Sequence, residues 1–230
     1  ADSQRHGRGK SVKDILAEIV ENKKDIVAKA KKRMSLAAMR EEIQPDDFRL
    51  AEKIKKGSWS LIAECKLQSP AKGRLCQSFS VDELAKIYEM NGASALSVHS
   101  DPHFLGRNED VQRIAAASRL PVLRKDFVID EYQLYEARFL GAAAVLLIVR
   151  ILSAQQLQEY LELTAALGMD ALVEVHDTKD MEKAMDTDAG FIGINNRNLK
   201  SFITTIDNTM ELLPYADSSR VLISESGVHT

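Results

Sequence analysis

The chain of 230 residues has few cysteines, few aromatic residues and no long apolar run, and each shortage excludes a class of protein. Cys65 and Cys76 are too few for the disulfide framework of a small secreted domain. No apolar run approaches the roughly 20 residues that cross a bilayer, and residues 1–10 lack the apolar core of a signal peptide. A net charge of −3 offers no general attraction for nucleic acid or for an anionic membrane. These shortages favour a reduced, cytoplasmic protein that has neither nucleic acid nor a membrane as its partner.

The chain does have enough apolar residues, 45% of the total, to bury one large core. Apolar runs that predict strands alternate with patterns that predict helices. The predicted strands are Ser60–Lys66, Ala95–His99, Pro121–Lys125, Ala144–Ile148, Asp170–Val175, Phe191–Asn195 and Val221–Glu225. Capping boxes at Ser80 and Ser153 begin two of the helices, and Gly92, Gly141 and Gly168 follow helix ends. This alternation predicts right-handed βαβ units and a parallel sheet.

Charged residues stand at the carboxyl ends of several predicted strands, where an apolar residue would be expected. They are Glu64, Lys66, Lys125, Glu174 and Glu225. Side chains alternate along a strand, so Glu64 and Lys66 share one face and Cys65 lies on the other, toward the helices. Buried charges are costly unless they are paired or used. Polar groups gathered at the carboxyl ends of successive parallel strands therefore predict the active site of a (β/α)8 TIM barrel.

Seven strands are predicted, whereas a (β/α)8 barrel has eight and leaves no open edge. We therefore expect an α/β barrel over residues 58–230 that is truncated after strand seven, so that the eighth βα unit is missing from this chain. An open sheet is the alternative. Residues 11–57 predict an N-terminal helical extension, and residues 1–10 a disordered or expression-derived leader. The extension is expected to plug the bottom of the barrel or to coat its side, or alternatively to wall the substrate pocket with Phe48 or a neighbouring residue.

Five motifs, in order and at strand ends, carry a specific resemblance to a known family. They are Glu64–Gly73 (ECKLQSPAKG), Leu123–Phe127 (LRKDF), Leu172–Val175 (LVEV), Gly193–Leu199 (GINNRNL) and Ser224–Gly227 (SESG). Together they resemble the signatures of the indole-3-glycerol phosphate synthase family. The resemblance implies a lyase of tryptophan biosynthesis, an aromatic amino acid pathway. Its reaction converts 1-(2-carboxyphenylamino)-1-deoxyribulose 5-phosphate to indole-3-glycerol phosphate with loss of CO2 and water.

The resemblance also implies a catalytic set. Its members are Glu64, Lys66, Lys125, Glu174, Asn195 and Ser226. Lys125 is implied as the general acid at the substrate carbonyl, with Lys66 as a second ammonium that Glu64 orients. Glu174 is implied as the general base of the dehydration, and burial is expected to raise its pKa toward neutrality. The alternative for each lysine and for Glu174 is a structural ion pair.

A second implied set binds the substrate, a phosphorylated anthranilate. Its members are Ser69, Phe104, Phe127, Arg197, Leu199, Glu225 and Gly227. Arg197 suits the anthranilate carboxylate because its guanidinium can donate two parallel hydrogen bonds. Ser69 and Gly227 are implied phosphate contacts, while Phe104 and Phe127 pack on the aromatic ring or belong to the core. No cofactor and no metal are expected. The resemblance leaves room for fusion to, or association with, other enzymes of the tryptophan pathway.

The second-strand motif departs from the family pattern. His99 and Ser100 stand where the family usually has leucine and threonine. A lone histidine at a strand end is more often a hydrogen-bonded structural residue than a catalyst, so no role is assigned to it. Two alternatives to the lyase remain at this stage. One is phosphoribosylanthranilate isomerase, a phosphate-binding barrel that would not need two lysines and two glutamates here, and the other is a non-catalytic fragment of a barrel.

Overall fold

A computed structural model of the chain describes residues 12–55, 59–69, 73–197 and 204–228. Strands and helices alternate from residue 62 onward. The strands are β1 (Ile62–Cys65), β2 (Gln68–Ser69), β3 (Gly73–Arg74), β4 (Ala95–His99), β5 (Val122–Lys125), β6 (Ala144–Ile148), β7 (Asp170–Val175), β8 (Phe191–Asn195) and β9 (Val221–Glu225). The helices are α1 (Val12–Arg33), α2 (Leu36–Glu42), α3 (Arg49–Lys55), α4 (Val81–Met90), α5 (Asn108–Ala117), α6 (Tyr132–Phe139), α7 (Ala154–Ala166), α8 (Thr178–Met185) and α9 (Asp207–Leu212). None of the described helices is both long and apolar enough to cross a membrane.

Seven strands form one parallel sheet in the order β1-β4-β5-β6-β7-β8-β9, with a helix between successive strands. The seven predicted strands are confirmed, although β1 and β5 are shorter than predicted. The predicted capping boxes are also present, at Ser80 before α4 and at Ser153 before α7. The short antiparallel pair of β2 and β3 was not predicted. Within the described residues, no strand pairs with the outer edge of β1 or of β9.

The strand side chains divide between two apolar clusters, one on each face of the sheet. The inner cluster contains Leu50, Ile54, Ala95, Leu123, Ala144, Leu146, Ile148, Leu172 and Phe191. Cys65 lies in the other cluster, with Val81 and Leu84 of α4, so it faces the helices as predicted. Because alternation along a strand decides which face a residue occupies, the strand-end charges of β1, β5, β7 and β9 fall on the inner face.

Helix α3 lies at the amino end of the sheet. Its residues Leu50 and Ile54 pack into the inner cluster, and the N–H of Ala51 donates to Asp170 Oδ2 at the start of β7 (2.9 Å). The N–H of Phe48 donates to the carbonyl of Gly168, which precedes β7 (2.9 Å). The alternative that Phe48 walls the substrate pocket is therefore wrong, because Phe48 lies at the opposite end of the strands from the charged residues.

Helix α1 is fixed by a buried charge cluster that we call the Lys23 cluster: Lys23, Asp101, Arg124 and Asp126. Lys23 Nζ lies 2.7 Å from Asp101 Oδ2 and 2.5 Å from Asp126 Oδ1. Arg124 Nη2 donates to Asp126 Oδ2 at 3.0 Å. Burial disfavours the charge on Asp126, but Arg124 and Lys23 outweigh it and lower the pKa of Asp126. The cluster therefore connects α1 to the segments that follow β4 and β5.

Candidate active site

Charged and polar side chains meet on the inner face at the carboxyl end of the sheet. We call them the charged ring: Glu64, Lys66, Lys125, Glu174, Asn195 and Glu225. Lys125 Nζ, at the end of β5, lies 2.6 Å from Glu225 Oε2 of β9 and 3.5 Å from Glu174 Oε2 of β7. Asn195 of β8 donates from Nδ2 to Glu174 Oε1 at 3.3 Å. Residues up to 100 positions apart in the chain are thus in direct contact.

Glu64 of β1 bridges two groups with its two oxygens. Its Oε2 forms an ion pair with Lys66 Nζ, and its Oε1 lies 2.8 Å from His99 Nε2 of β4. Burial raises the pKa of Glu64, but His99, Lys125 and Lys66 together outweigh burial and hold the pKa well below its usual range. The carboxylate is therefore ionised and in contact with the ammonium that it was predicted to orient.

Three groups of the charged ring have pKa values that depend on one another. Burial disfavours the charge on Lys125, yet Glu225, Glu174 and Glu64 hold its pKa above the usual range. Burial also disfavours the charge on Glu174, yet Lys125, His176 and Asn195 lower the pKa of Glu174 to about 2. The expectation of a raised pKa for Glu174 is wrong, because it counted burial without the neighbouring cations.

Glu225 is the carboxylate of the ring that takes up a proton most readily. Burial raises the pKa of Glu225, Lys125 opposes this effect, and the negative charges of Glu174 and Glu64 add to it. Its Oε1 is buried and has no hydrogen-bond partner among the described residues. A Cβ atom on Gly193 of β8 would lie 1.9 Å from this oxygen. A side chain at position 193 would therefore displace the Glu225 carboxylate from its present position.

His176 is a site residue that the sequence analysis missed. Its Nε2 lies 3.1 Å from Glu174 Oε1, and its backbone N–H donates to Asp180 Oδ2 at 2.9 Å. Arg150 donates from Nε to the same Asp180 oxygen at 2.7 Å. Burial alone would lower the pKa of His176, but Asp180 and Glu174 outweigh it and raise the pKa to about 9. The available signal was its position directly after the fifth-strand motif, four residues before Asp180.

Replacing His176 by glutamine is expected to change how stability depends on pH. The pKa of His176 is raised from 6.5 to about 9 in the folded protein, so its stabilising contribution is complete below 6.5. It is lost as pH rises through about 9, a loss of up to about 3 kcal/mol. Urea unfolding of wild type and His176→Gln across this range measures the difference. Equal pH dependence in the two proteins would show that His176 is not held as a cation.

Asn196, which the sequence analysis also missed, links the end of β8 to β9 and to α9. Its Nδ2 donates to Ser224 Oγ (2.8 Å) and to the Ser226 carbonyl (3.0 Å), and its Oδ1 accepts from the Thr209 N–H (3.0 Å). Ser226 and Gly227 have φ of 66° and 72°, the left-handed region that costs a non-glycine residue energy. The Asn196 hydrogen bonds therefore support the unusual backbone directly after β9.

Several of the implied catalytic and binding residues directly follow strands of the sheet. Ser226 is exposed beyond β9, and Arg197 follows Asn195, whose Oδ1 accepts from the Arg197 N–H at 3.0 Å. The rings of His99, Phe104 and Phe127 form a row that we call the aromatic shelf. Their centroids are 4.5 Å apart for His99 and Phe104, and 6.2 Å for Phe104 and Phe127.

Two implied contacts fall outside the described residues. They are Leu199 and the side chain of Ser69.

Across the part of the chain that the structure describes, no group of three histidine, cysteine or acidic side chains could hold a metal ion. The arrangement can therefore donate protons or hydrogen bonds from two lysines, accept protons at three glutamates, and hold a flat apolar group against the shelf.

The solved structure with which we compare the chain supports the fold. A chain of dimeric phosphoribosylanthranilate isomerase from Thermotoga maritima, solved as mutually generated monomers, matches with a TM-score of 0.51. The match covers 74% of this chain and 76% of that one, at 16% identity. At so low an identity, the likeness shows a TIM-like α/β fold alone and says nothing about activity.

Sequence relatives show the family. The family model for indole-3-glycerol phosphate synthase matches residues 16–230. The curated enzyme of that name from Bordetella pertussis is 44% identical, over 94% of this chain and 85% of its own length. The enzyme of the same name from a Polaromonas species is 43% identical, over 94% of this chain and 85% of its own length. The one from Carboxydothermus hydrogenoformans is 40% identical, over 94% of this chain and 86% of its own length. These matches do not favour the isomerase or the non-catalytic fragment. The chain therefore belongs to the indole-3-glycerol phosphate synthase family, the carbon–carbon lyases that decarboxylate and dehydrate a phosphorylated anthranilate to indole-3-glycerol phosphate in tryptophan biosynthesis.

Proposed function

We propose that the charged ring carries out the lyase reaction, with Lys125 as its general acid. The observation that supports this role is the position of Lys125 Nζ between the carboxylates of Glu225 and Glu174, at 2.6 and 3.5 Å. All three groups have shifted pKa values and lie on the inner face of the sheet. Shifted groups gathered at the carboxyl ends of parallel strands are typical of a barrel active site.

The first step joins a carbon of the anthranilate ring to the carbonyl carbon of the deoxyribulose chain. As this bond forms, the carbonyl π electrons move to the oxygen, which takes a proton from the Lys125 ammonium. Lys66, which Glu64 holds, is a second ammonium that stabilises the developing negative charge. Loss of CO2 then returns the bonding electrons of the carboxylate carbon to the ring.

In the last step the C–O bond of the new hydroxyl group breaks and the hydroxyl leaves as water with a proton from the Lys66 ammonium. The adjacent carbon gives its proton to a base, and the electrons of that C–H bond form the new double bond of the indole. We assign the base to Glu174, which is ionised and lies 3.3 Å from Asn195 Nδ2. Once Lys125 has given up its proton, Glu174 loses the attraction of that cation. Burial then raises the pKa of Glu174 during the reaction, which makes it a better base than in the free enzyme. We assign Ser226 and Asn195 to hydrogen bonds with the substrate hydroxyl groups.

The remaining contacts bind the substrate. Arg197 holds the anthranilate carboxylate, and Phe104 and Phe127 of the aromatic shelf hold its ring. Their support is the shelf geometry and the position of Arg197, two residues after Asn195. We assign the phosphate to Ser69 and Gly227, because backbone N–H groups and hydroxyls bind phosphate in barrels of this kind. Leu199 completes the set by resemblance.

We also propose that the seven-stranded sheet of residues 58–230 belongs to a (β/α)8 TIM barrel that an eighth strand–helix unit closes, with residues 11–57 as its N-terminal extension. The support is that β1 and β9 each have an edge without a partner among the described residues, whereas barrels leave no edges. An experimental structure of the active enzyme in which both edges stay unpaired would contradict the closure.

The free thiols of Cys65 and Cys76 support a cytoplasmic location. Association or fusion with other enzymes of the pathway stays a prediction.

The roles of two of the three ring carboxylates, Glu174 and Glu225, can be separated by paired variants. Glu174→Gln is expected to lower kcat by about 10²-fold, because the base is lost while the shape is kept. Glu225→Gln, the matched control in the same ring, is expected to raise KM more than it lowers kcat, because we assign it to binding. Formation of indole-3-glycerol phosphate is followed by its fluorescence. A Glu174→Gln enzyme with wild-type kcat would exclude Glu174 as the base.

A further inference from the structure

His99 has no role in the reaction described above, although it lies within the site. It is 5% exposed and stands on the inner face of β4, paired in register with Lys125 of β5. We propose that His99 is a positioning residue that holds the Glu64 carboxylate for Lys66 and links it to Phe104, the next ring of the aromatic shelf. This inference rests on the proposed roles of Glu64 and Lys66.

The geometry gives each Glu64 oxygen its own partner. Lys66 pairs with Oε2, and His99 Nε2 lies 2.8 Å from Oε1. In the pairing of β1 with β4, Glu64 lies opposite Ser97, so His99 stands one step nearer the carboxyl end on the same face. Without His99, the Glu64 carboxylate loses the partner that fixes its rotation about the side-chain bonds. The Lys66 ammonium that pairs with it is then no longer held in one position.

The charge state of His99 suits this role. Burial lowers the pKa of His99 below 6.5, Glu64 of β1 opposes this, and the cations Lys125 of β5 and Lys66 lower it further. The imidazole is therefore neutral near neutral pH and carries a single N–H. Because an ionised carboxylate can only accept, the proton lies on Nε2 and is donated to Glu64. A neutral donor holds Glu64 without replacing the ion pair that Glu64 makes with Lys66.

Phe104, the next ring of the aromatic shelf, fixes the other side of the imidazole. Its ring stacks on Phe104 with centroids 4.5 Å apart and planes 21° apart, and Phe104 in turn packs beside Phe127. The hydrogen bond and the stacking together hold the ring in one orientation. A substrate ring that lies on the shelf would therefore press on the same imidazole that orients Glu64.

Two variants of His99 separate its N–H from its ring. His99→Phe keeps a ring to stack on Phe104 and removes the donor, and His99→Gln keeps an N–H donor and removes the ring. We expect His99→Phe to lower kcat about ten-fold with KM changed less than about two-fold, since one hydrogen bond to a charged group is lost. We expect His99→Gln to stay within about three-fold of the wild-type kcat. Thermal unfolding of both variants checks that each is folded.

The Glu64→Gln background shows whether His99 acts through Glu64. In that background, His99→Phe is expected to change kcat less than about two-fold, because the carboxylate it positions is already gone. Full additivity of the two substitutions would overturn the inference, as would a wild-type kcat for His99→Phe when Glu64→Gln is impaired. If Glu64→Gln itself keeps the wild-type kcat, the proposed role of Glu64 fails and the role of His99 fails with it. Nitrogen NMR of labelled histidine gives a readout independent of activity: a charged His99, or a neutral one protonated on Nδ1, would also overturn it.

Discussion

Replacing Lys125 by alanine is expected to lower kcat for indole-3-glycerol phosphate formation by about 10³-fold. The variant loses the proton donor for the carbonyl oxygen and also the cation that lies between Glu225 and Glu174. With no cation between them, one of the two carboxylates takes up a proton, so the charge pattern of the ring changes as well. KM is expected to change less, because we assign binding to the phosphate, carboxylate and ring contacts.

Single-turnover fluorescence locates this loss, since it separates the chemical steps from substrate binding and product release. Lys31→Ala is the control. Lys31 is a lysine of α1 that pairs with Asp130, which follows β5 as Lys125 ends it, but Asp130 lies outside the charged ring. The control is expected to keep the wild-type kcat. A Lys125→Ala enzyme within about three-fold of wild type would remove Lys125 from the reaction, because a general acid contributes at least about 10²-fold.

Replacing Lys23 by methionine is expected to destabilise the protein by about 3–5 kcal/mol. Methionine has a similar length, so the change removes the charge with little change in packing volume. Asp101 and Asp126 then stay buried without the ammonium that lies 2.7 and 2.5 Å from them. Arg124 still pairs with Asp126, so the larger part of the cost is expected at Asp101. Equilibrium urea unfolding measures the loss.

The neighbouring residue provides a matched control. Lys24 also forms an ion pair, with Glu21 at 2.7 Å, but its side chain is 60% exposed. Lys24→Met is expected to change the free energy of unfolding by less than about 1 kcal/mol, because solvent screens an exposed pair. Adding Asp101→Asn to Lys23→Met should recover part of the loss, since it removes a buried charge that has lost its ammonium partner. Equal effects of the two lysine substitutions would show that the Lys23 cluster does not hold α1 in place.

Most of the sheet could be predicted because its strands are short apolar runs with clear ends. Five of the seven strands have the predicted bounds, and alternation along β1 correctly assigned Glu64 and Cys65 to opposite faces. The pair of β2 and β3 could not be predicted, because two residues per strand give no periodicity to recognise. The strand-end charges were recognisable for the opposite reason, since a charge within an apolar run stands out.

The contacts between those charges were harder to predict than their positions. The direction of the Glu174 pKa shift depends on its distances from Lys125 and His176, which no local pattern contains. Lys23 gave a signal that was overlooked: it lies four residues after Ile19 and four before Val27, in phase with a buried apolar face. Periodicity alone can indicate such a face, but only the packed helix shows that the lysine reaches an acidic pair.

The order of the strands in the sheet is also their order in the chain, and this has a consequence for synthesis on the ribosome. Each strand of the sheet after β1 can pair with the preceding strand of that sheet as soon as it emerges. The helices that precede β1 cannot complete their contacts so early. Lys23 meets Asp126, which is 103 residues later, and Ala51 meets Asp170, which is 119 residues later. Helices α1 and α3 are therefore made before the sheet, but their docking is complete only after β7 has been made.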